Sequence, residues 1–71
     1  MTLQEFVTAR QAEGLSLTAA VGQVVAVSAA SPRAVWSWVK GERSEPESVR
    51  RLLKIWSECS PEQRQRWFPA P

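Results

Sequence analysis

The apolar positions in the first part of the chain form two helical stripes separated by a glycine. In "TLQEFVTARQAEG", Leu3, Phe6, Val7 and Arg10 recur at i, i+3, i+4 and i+7. Thr2 stands three residues before Glu5, as in a capping box, and Gly14 supplies a stop. From the capping residue Ser16 a second stripe runs through Leu17, Ala20, Val21, Val24 and Val27 or Ser28. Gly22 and the adjacent β-branched Val24 and Val25 weaken that helix, so a short strand from Gln23 to Val27 is the alternative. Helix is preferred because no second strand stands elsewhere to pair with it.

The remaining elements are announced by prolines. Ser31-Pro32 is a capping serine followed by proline at the first helical position, and Gly41 ends a third helix spanning Pro32 to Lys40. In "SEPESVRRLLKIW", Val49, Leu52, Leu53 and Trp56 share one face, while Arg50, Arg51 and Lys54 fall largely on the other. In "SPEQRQRWF", Ser60 caps, Pro61 opens and Gln63 closes a capping box for a helix that ends before Pro69. Five short helices with brief connections predict an all-α fold, a compact bundle forming one domain over 1–71.

Composition narrows the function. A chain of 71 residues is near the size where one core is marginal without a staple or a partner chain. Cys59 is the only cysteine, which excludes an intrachain disulfide or a cysteine-built zinc site. Histidine, aspartate and tyrosine are absent, removing the usual general base and metal ligands, and so short a chain is poorly suited to walling off a substrate pocket. We therefore expect no enzyme, no cofactor, no metal and no small-molecule ligand. The apolar run "LSLTAAVGQVVAVSAA" imitates a signal-peptide core, but Glu5 and Glu13 outweigh Arg10 in the segment before it, where a leader should be positive. Its Ser, Thr and Gln also make it too polar for a membrane span. The expectation is a cytoplasmic protein.

The order "SPRAVWSWVKGER" followed by "PESVRRLL", with "TLQEFV" and "EGLSLTAAV" before it, resembles the helix-turn-helix of phage Cro and C1-type repressors and their plasmid and prophage relatives. The resemblance runs from about Leu3 to Trp56 and implies a lambda-repressor-like fold with the helix-turn-helix at about 17–40. Two departures stand out. The glycine usual in the turn of that family falls at Ala29, and the stretch from Leu15 to Ser31 is about one helical turn longer than usual, so either helix 2 is extended or the turn is remodelled.

The resemblance also assigns the two tryptophans of helix 3. It turns Val35 and Trp38 to the core and Ser31, Pro32, Arg33, Trp36, Ser37 and Lys40 to the major groove of DNA. Helical geometry agrees, placing Val35, Trp38 and Val39 on one side and Arg33, Trp36, Ser37 and Lys40 on the other. Such a face suits base reading: Arg33 to guanine O6 and N7, Ser37 to a donor or an acceptor, Trp36 to a thymine methyl, with Lys40 alongside. Ser31 with the helix N-terminus, Arg43, Arg50 and Arg51 suit phosphates, as does Lys54. The plainer alternatives are that Trp36 packs inside the bundle or in a subunit interface, and that the cations form a solvated face.

Charge favours the nucleic-acid alternative modestly. Residues 1–31 carry one basic and two acidic groups, whereas 32–71 carry eight basic and five acidic, so the positive charge travels with helix 3. The net +2 is small for a lone DNA binder, and Glu42, Glu45 and Glu47 crowd the loop after helix 3. A homodimer on a palindromic operator, with half-sites about 34 Å apart, would double the phosphate contacts. Trp67 and Phe68 in the segment 60–71 are candidates for the dimer surface or for a cap on the core. The expected function is a sequence-specific repressor binding double-stranded DNA. The alternatives are a small phage-type inhibitor or adaptor that grips a protein through Trp36, Trp67 and Phe68, and an excisionase-like architectural DNA binder.

Overall fold

A computed structural model describes residues 1–68; Pro69, Ala70 and Pro71, included above in the C-terminal segment, lie outside the described residues. Five helices and no strand are found among the described residues: α1 (Leu3–Ala12), α2 (Leu17–Ser28), α3 (Pro32–Val39), α4 (Glu47–Glu58) and α5 (Pro61–Trp67). The strand alternative for Gln23 to Val27 is thereby replaced by helix.

Local chemistry explains each start. Thr2 and Glu5 form a reciprocal capping box on α1, and Ser60 and Gln63 do the same on α5. Ser16 and Ser31 accept from the backbone N–H of Ala19 and Ala34 to open α2 and α3. Pro46 is the N-cap of α4 and offers no side-chain acceptor, so its carbonyl receives Val49 N and Arg50 N.

α1 and α2 pack on one another and on both α3 and α4. Their shared core holds Leu3, Phe6, Val7, Ala20, Val21, Val24, Val27, Val35, Val49, Leu53 and Trp56. The predicted stripes of α1 and α4 are recovered closely, with Leu52 half-buried beside Leu53. In α2 the stripe begins one turn later than expected: Leu17 stays 38% exposed, because the first turn overhangs the core. Phe6 and Trp56 meet edge to face with ring centroids 5.2 Å apart, a favoured aromatic geometry at the centre of the bundle. Arg10, also in the α1 stripe, is buried with its guanidinium carbon 5.5 Å from the Phe6 ring and 4.9 Å from the Trp56 ring. Its charge is met by Glu13 at 3.0 Å, so it extends the aromatic stack while its NH2 group reaches the surface.

The connection from α2 to α3 shows how the missing glycine is managed. The additional length lies in α2, which runs for 12 residues, and the turn remains tight. Ala29 takes φ 58° and ψ 14°, the left-handed conformation that glycine would adopt freely. Ser28 stabilises it: its hydroxyl donates to Val24 O at 2.7 Å and accepts from Ala30 N at 3.2 Å. No helix among the described residues is long and apolar enough to cross a membrane.

Candidate nucleic-acid interface

α3 is anchored through one side chain and flanked by two. Val35 is fully buried, while Trp36 and Trp38 are both half-buried and both packed against the core. This corrects the division expected from the sequence, which sent Trp38 inward and Trp36 outward. Around a helix, Trp36 lies about 100° to one side of Val35 and Trp38 about 60° to the other. With Val35 pointing at the core, each indole covers one shoulder of the contact. The helix ends at Val39, with Lys40 as its C-cap, and Gln4 of α1 donates its side-chain amide to Val39 O at 3.3 Å.

The outward side of α3 carries the predicted polar groups. Arg33 and Lys40 are exposed, as is Ser31 at the N-cap. Trp36 presents its uncovered edge to an open hollow lined by Arg33, Ser37, Lys40 and Glu42. A neighbouring hollow of about 480 Å³ is lined by Ser31, Arg33, Ala34, Ser37, Glu42 and Arg43. Six of the predicted DNA-contacting residues, Ser31, Arg33, Trp36, Ser37, Lys40 and Arg43, therefore share one continuous surface. The Ser37 hydroxyl donates to Ala34 O at 2.7 Å, which leaves its oxygen lone pairs facing outward chemistry.

Arg50 and Arg51 on α4 do not line these hollows and are engaged elsewhere. Arg51 pairs with Glu47 at 3.2 Å across one turn of α4, and Arg50 lies 3.8 Å from Glu45. By contrast, Arg33, Lys40 and Arg43 form no ion pair among the described residues. Lys54 on α4 is likewise exposed and unpaired among the described residues, so three of the four unpaired candidate cations lie on α3 and the loop just after it.

That loop is shaped by α3 itself. Gly41, at φ 79°, reverses the chain so that Glu42 N and Arg43 N approach Ser37 O at 2.9 and 3.4 Å. Of the three glutamates that crowd it in sequence, Glu45 turns inward and accepts from Leu3 N at 3.1 Å, complementing the start of α1. Glu47 is taken by Arg51. Only Glu42 is left on the α3 surface, a placement that sequence reasoning missed because linear proximity does not reveal which carboxylate finds an internal partner.

The C-terminal aromatic pair is split. Phe68 packs against the core, as a capping residue would, whereas Trp67 remains 68% exposed. Arg64 secures α5 by donating its Nε to Trp56 O at 2.9 Å. Cys59 is half-buried at the end of α4. Among the described residues, no group of three or more metal-ligating side chains comes together.

Compared with protein-family models, curated proteins and solved structures, the chain finds no match.

Proposed function

We propose that this protein is a cytoplasmic, sequence-specific reader of double-stranded DNA and acts as a Cro/C1-type repressor. α2 and α3 form its helix-turn-helix, and α3 enters the major groove. The observation that carries the proposal is the gathering of three unpaired cations, Arg33, Lys40 and Arg43, around Ser37 and the free edge of Trp36 on one open helix face. A surface of this kind joins phosphate attraction to base-edge recognition. Arg33 projects from the first turn of α3, where recognition helices reach bases, and its fork matches guanine O6 and N7. Trp36 serves in two places at once, sealing a shoulder of the core and offering apolar surface to a thymine methyl.

The left-handed turn at Ala29 supports the same assignment, because it ends α2 abruptly and lets α3 set off in a new direction after only two further residues. The protein works as a homodimer on a palindromic operator, with exposed Trp67 as the subunit contact and Arg50 and Arg51 as peripheral phosphate contacts. Occupying the operator blocks transcription.

Titration of a labelled duplex recovered by selection from a random pool, followed by fluorescence anisotropy at rising salt, tests the DNA-binding claim. We expect affinity to fall linearly on a log–log plot and Arg33→Ala to weaken binding by roughly 5- to 150-fold. Absence of duplex binding, together with capture of a protein partner that depends on Trp36 or Trp67 and ignores salt, would instead favour the inhibitor or adaptor alternative.

A further inference from the structure

We infer that Glu42 is a specificity-determining residue that accepts a hydrogen bond from an exocyclic amino group, cytosine N4 or adenine N6, in the major groove. The inference rests on the DNA-reading function proposed for α3.

Glu42 lines both hollows of the α3 surface, alongside Arg33 and Ser37 in each. It is exposed, and no ion pair or side-chain hydrogen bond engages its carboxylate among the described residues, although Arg33, Lys40 and Arg43 surround it. Its backbone is fixed to the last turn of α3 through Ser37 O at 2.9 Å, so the carboxylate is presented from a defined position. A surface built only to hold phosphates would be weakened by a carboxylate at its centre, since like charges repel and exclude the backbone oxygens. The neighbouring loop glutamates already have partners, Glu45 in Leu3 N and Glu47 in Arg51, which makes the unpaired Glu42 a distinct feature of the loop.

An ionised carboxylate is acceptor-only. Ser37 beside it has committed its hydroxyl proton to Ala34 O, so the two residues together present acceptors flanked by the donors of Arg33. On base edges in the major groove the complementary donors are the amino groups of cytosine and adenine; guanine and thymine offer only acceptors or a methyl group. Arg33 on guanine and Glu42 on a nearby amino group would read two positions with opposite demands. A wrong base under Glu42 meets lone pairs with lone pairs.

Parallel selections from one random duplex pool with the wild type, Glu42→Ala and Glu42→Gln test this, with Glu58→Gln as a control on α4. The wild type should enrich cytosine or adenine at one fixed position of each half-site, and the enriched base identifies which amino group is read. Glu42→Ala should lower that preference about 5- to 100-fold and leave the other positions unchanged. Glu42→Gln should favour adenine there, because an amide pairs with both N6 and N7. Unchanged base preferences in both variants, with or without tighter overall binding, would overturn the role of Glu42 while leaving DNA reading intact. A wild type that enriches no sequence would overturn both.

Discussion

Arg64 lies with its guanidinium carbon 3.7 Å from the centre of the Trp56 ring while donating its Nε to the carbonyl of the same tryptophan at 2.9 Å. One side chain from α5 therefore covers the central aromatic residue of α4 and adds a second donor to a last-turn carbonyl that Cys59 N meets at 3.2 Å. Its NH2 group also reaches Ser57 O at 3.4 Å. Because α5 has only seven residues and none is buried, this contact and Phe68 hold it to the bundle.

Arg64→Ala should accordingly destabilise the domain by about 2 kcal/mol, combining a cation–π contact with a charge-assisted hydrogen bond. Arg64→Lys should recover less than half, since an ammonium cannot stack and fork at once. Urea unfolding followed by tryptophan fluorescence measures both. Equal stability of all three proteins would show that α5 is not anchored through Arg64.

Ala29 offers the opposite sign. An L-residue in the left-handed region is disfavoured by roughly 1–2 kcal/mol, and glycine removes that strain while losing some chain entropy. Ala29→Gly should raise stability by about 0.5–1 kcal/mol, or a few degrees in Tm for a domain of this size. Ala29→Val should lower it, since a β-branched residue fits that region poorly. Calorimetry decides, and a destabilising glycine would argue against the left-handed turn.

The cations should separate by salt dependence. Arg43→Ala should reduce the slope of log K against log salt by about 1, the signature of one lost phosphate contact. Arg51→Ala should change it less, because Glu47 already neutralises that guanidinium on the protein surface. A larger effect from Arg51 than from Arg43 would move the centre of the interface from α3 to α4.

Trp67 should behave as an association residue. Exposed at 68%, it contributes little to the monomer, so at concentrations dilute enough to keep both proteins monomeric Trp67→Ser should leave unfolding within about 0.5 kcal/mol of wild type. The same substitution should shift sedimentation toward monomer and weaken operator binding. Unaltered sedimentation would place the dimer contact elsewhere, with exposed Leu17 and Ile55 as the next positions to vary.

The helices were legible because their signals are local. Capping serines, helix-starting prolines and the 3.6-residue stripe in α1 and α4 act within a few residues, and each element appears close to where these place it. What the sequence could not show depended on contacts across the bundle. Trp36 and Trp38 share the core because Val35 takes the central position between them. Glu45 turns away from the α3 surface because Leu3 N, 42 residues earlier, donates to its carboxylate. Periodicity identifies a face but not the tilt at which it meets a neighbour, and a run of charges does not disclose its partners.

The central claim is most directly tested by selecting bound fragments from a random duplex pool with the wild-type protein at about 150 mM salt, a stringency that suppresses non-specific phosphate binding. We predict an inverted repeat whose half-sites lie about 34 Å apart, with guanine at the position lost in Arg33→Ala. A pool that remains unenriched after repeated rounds would contradict sequence-specific DNA reading by α3.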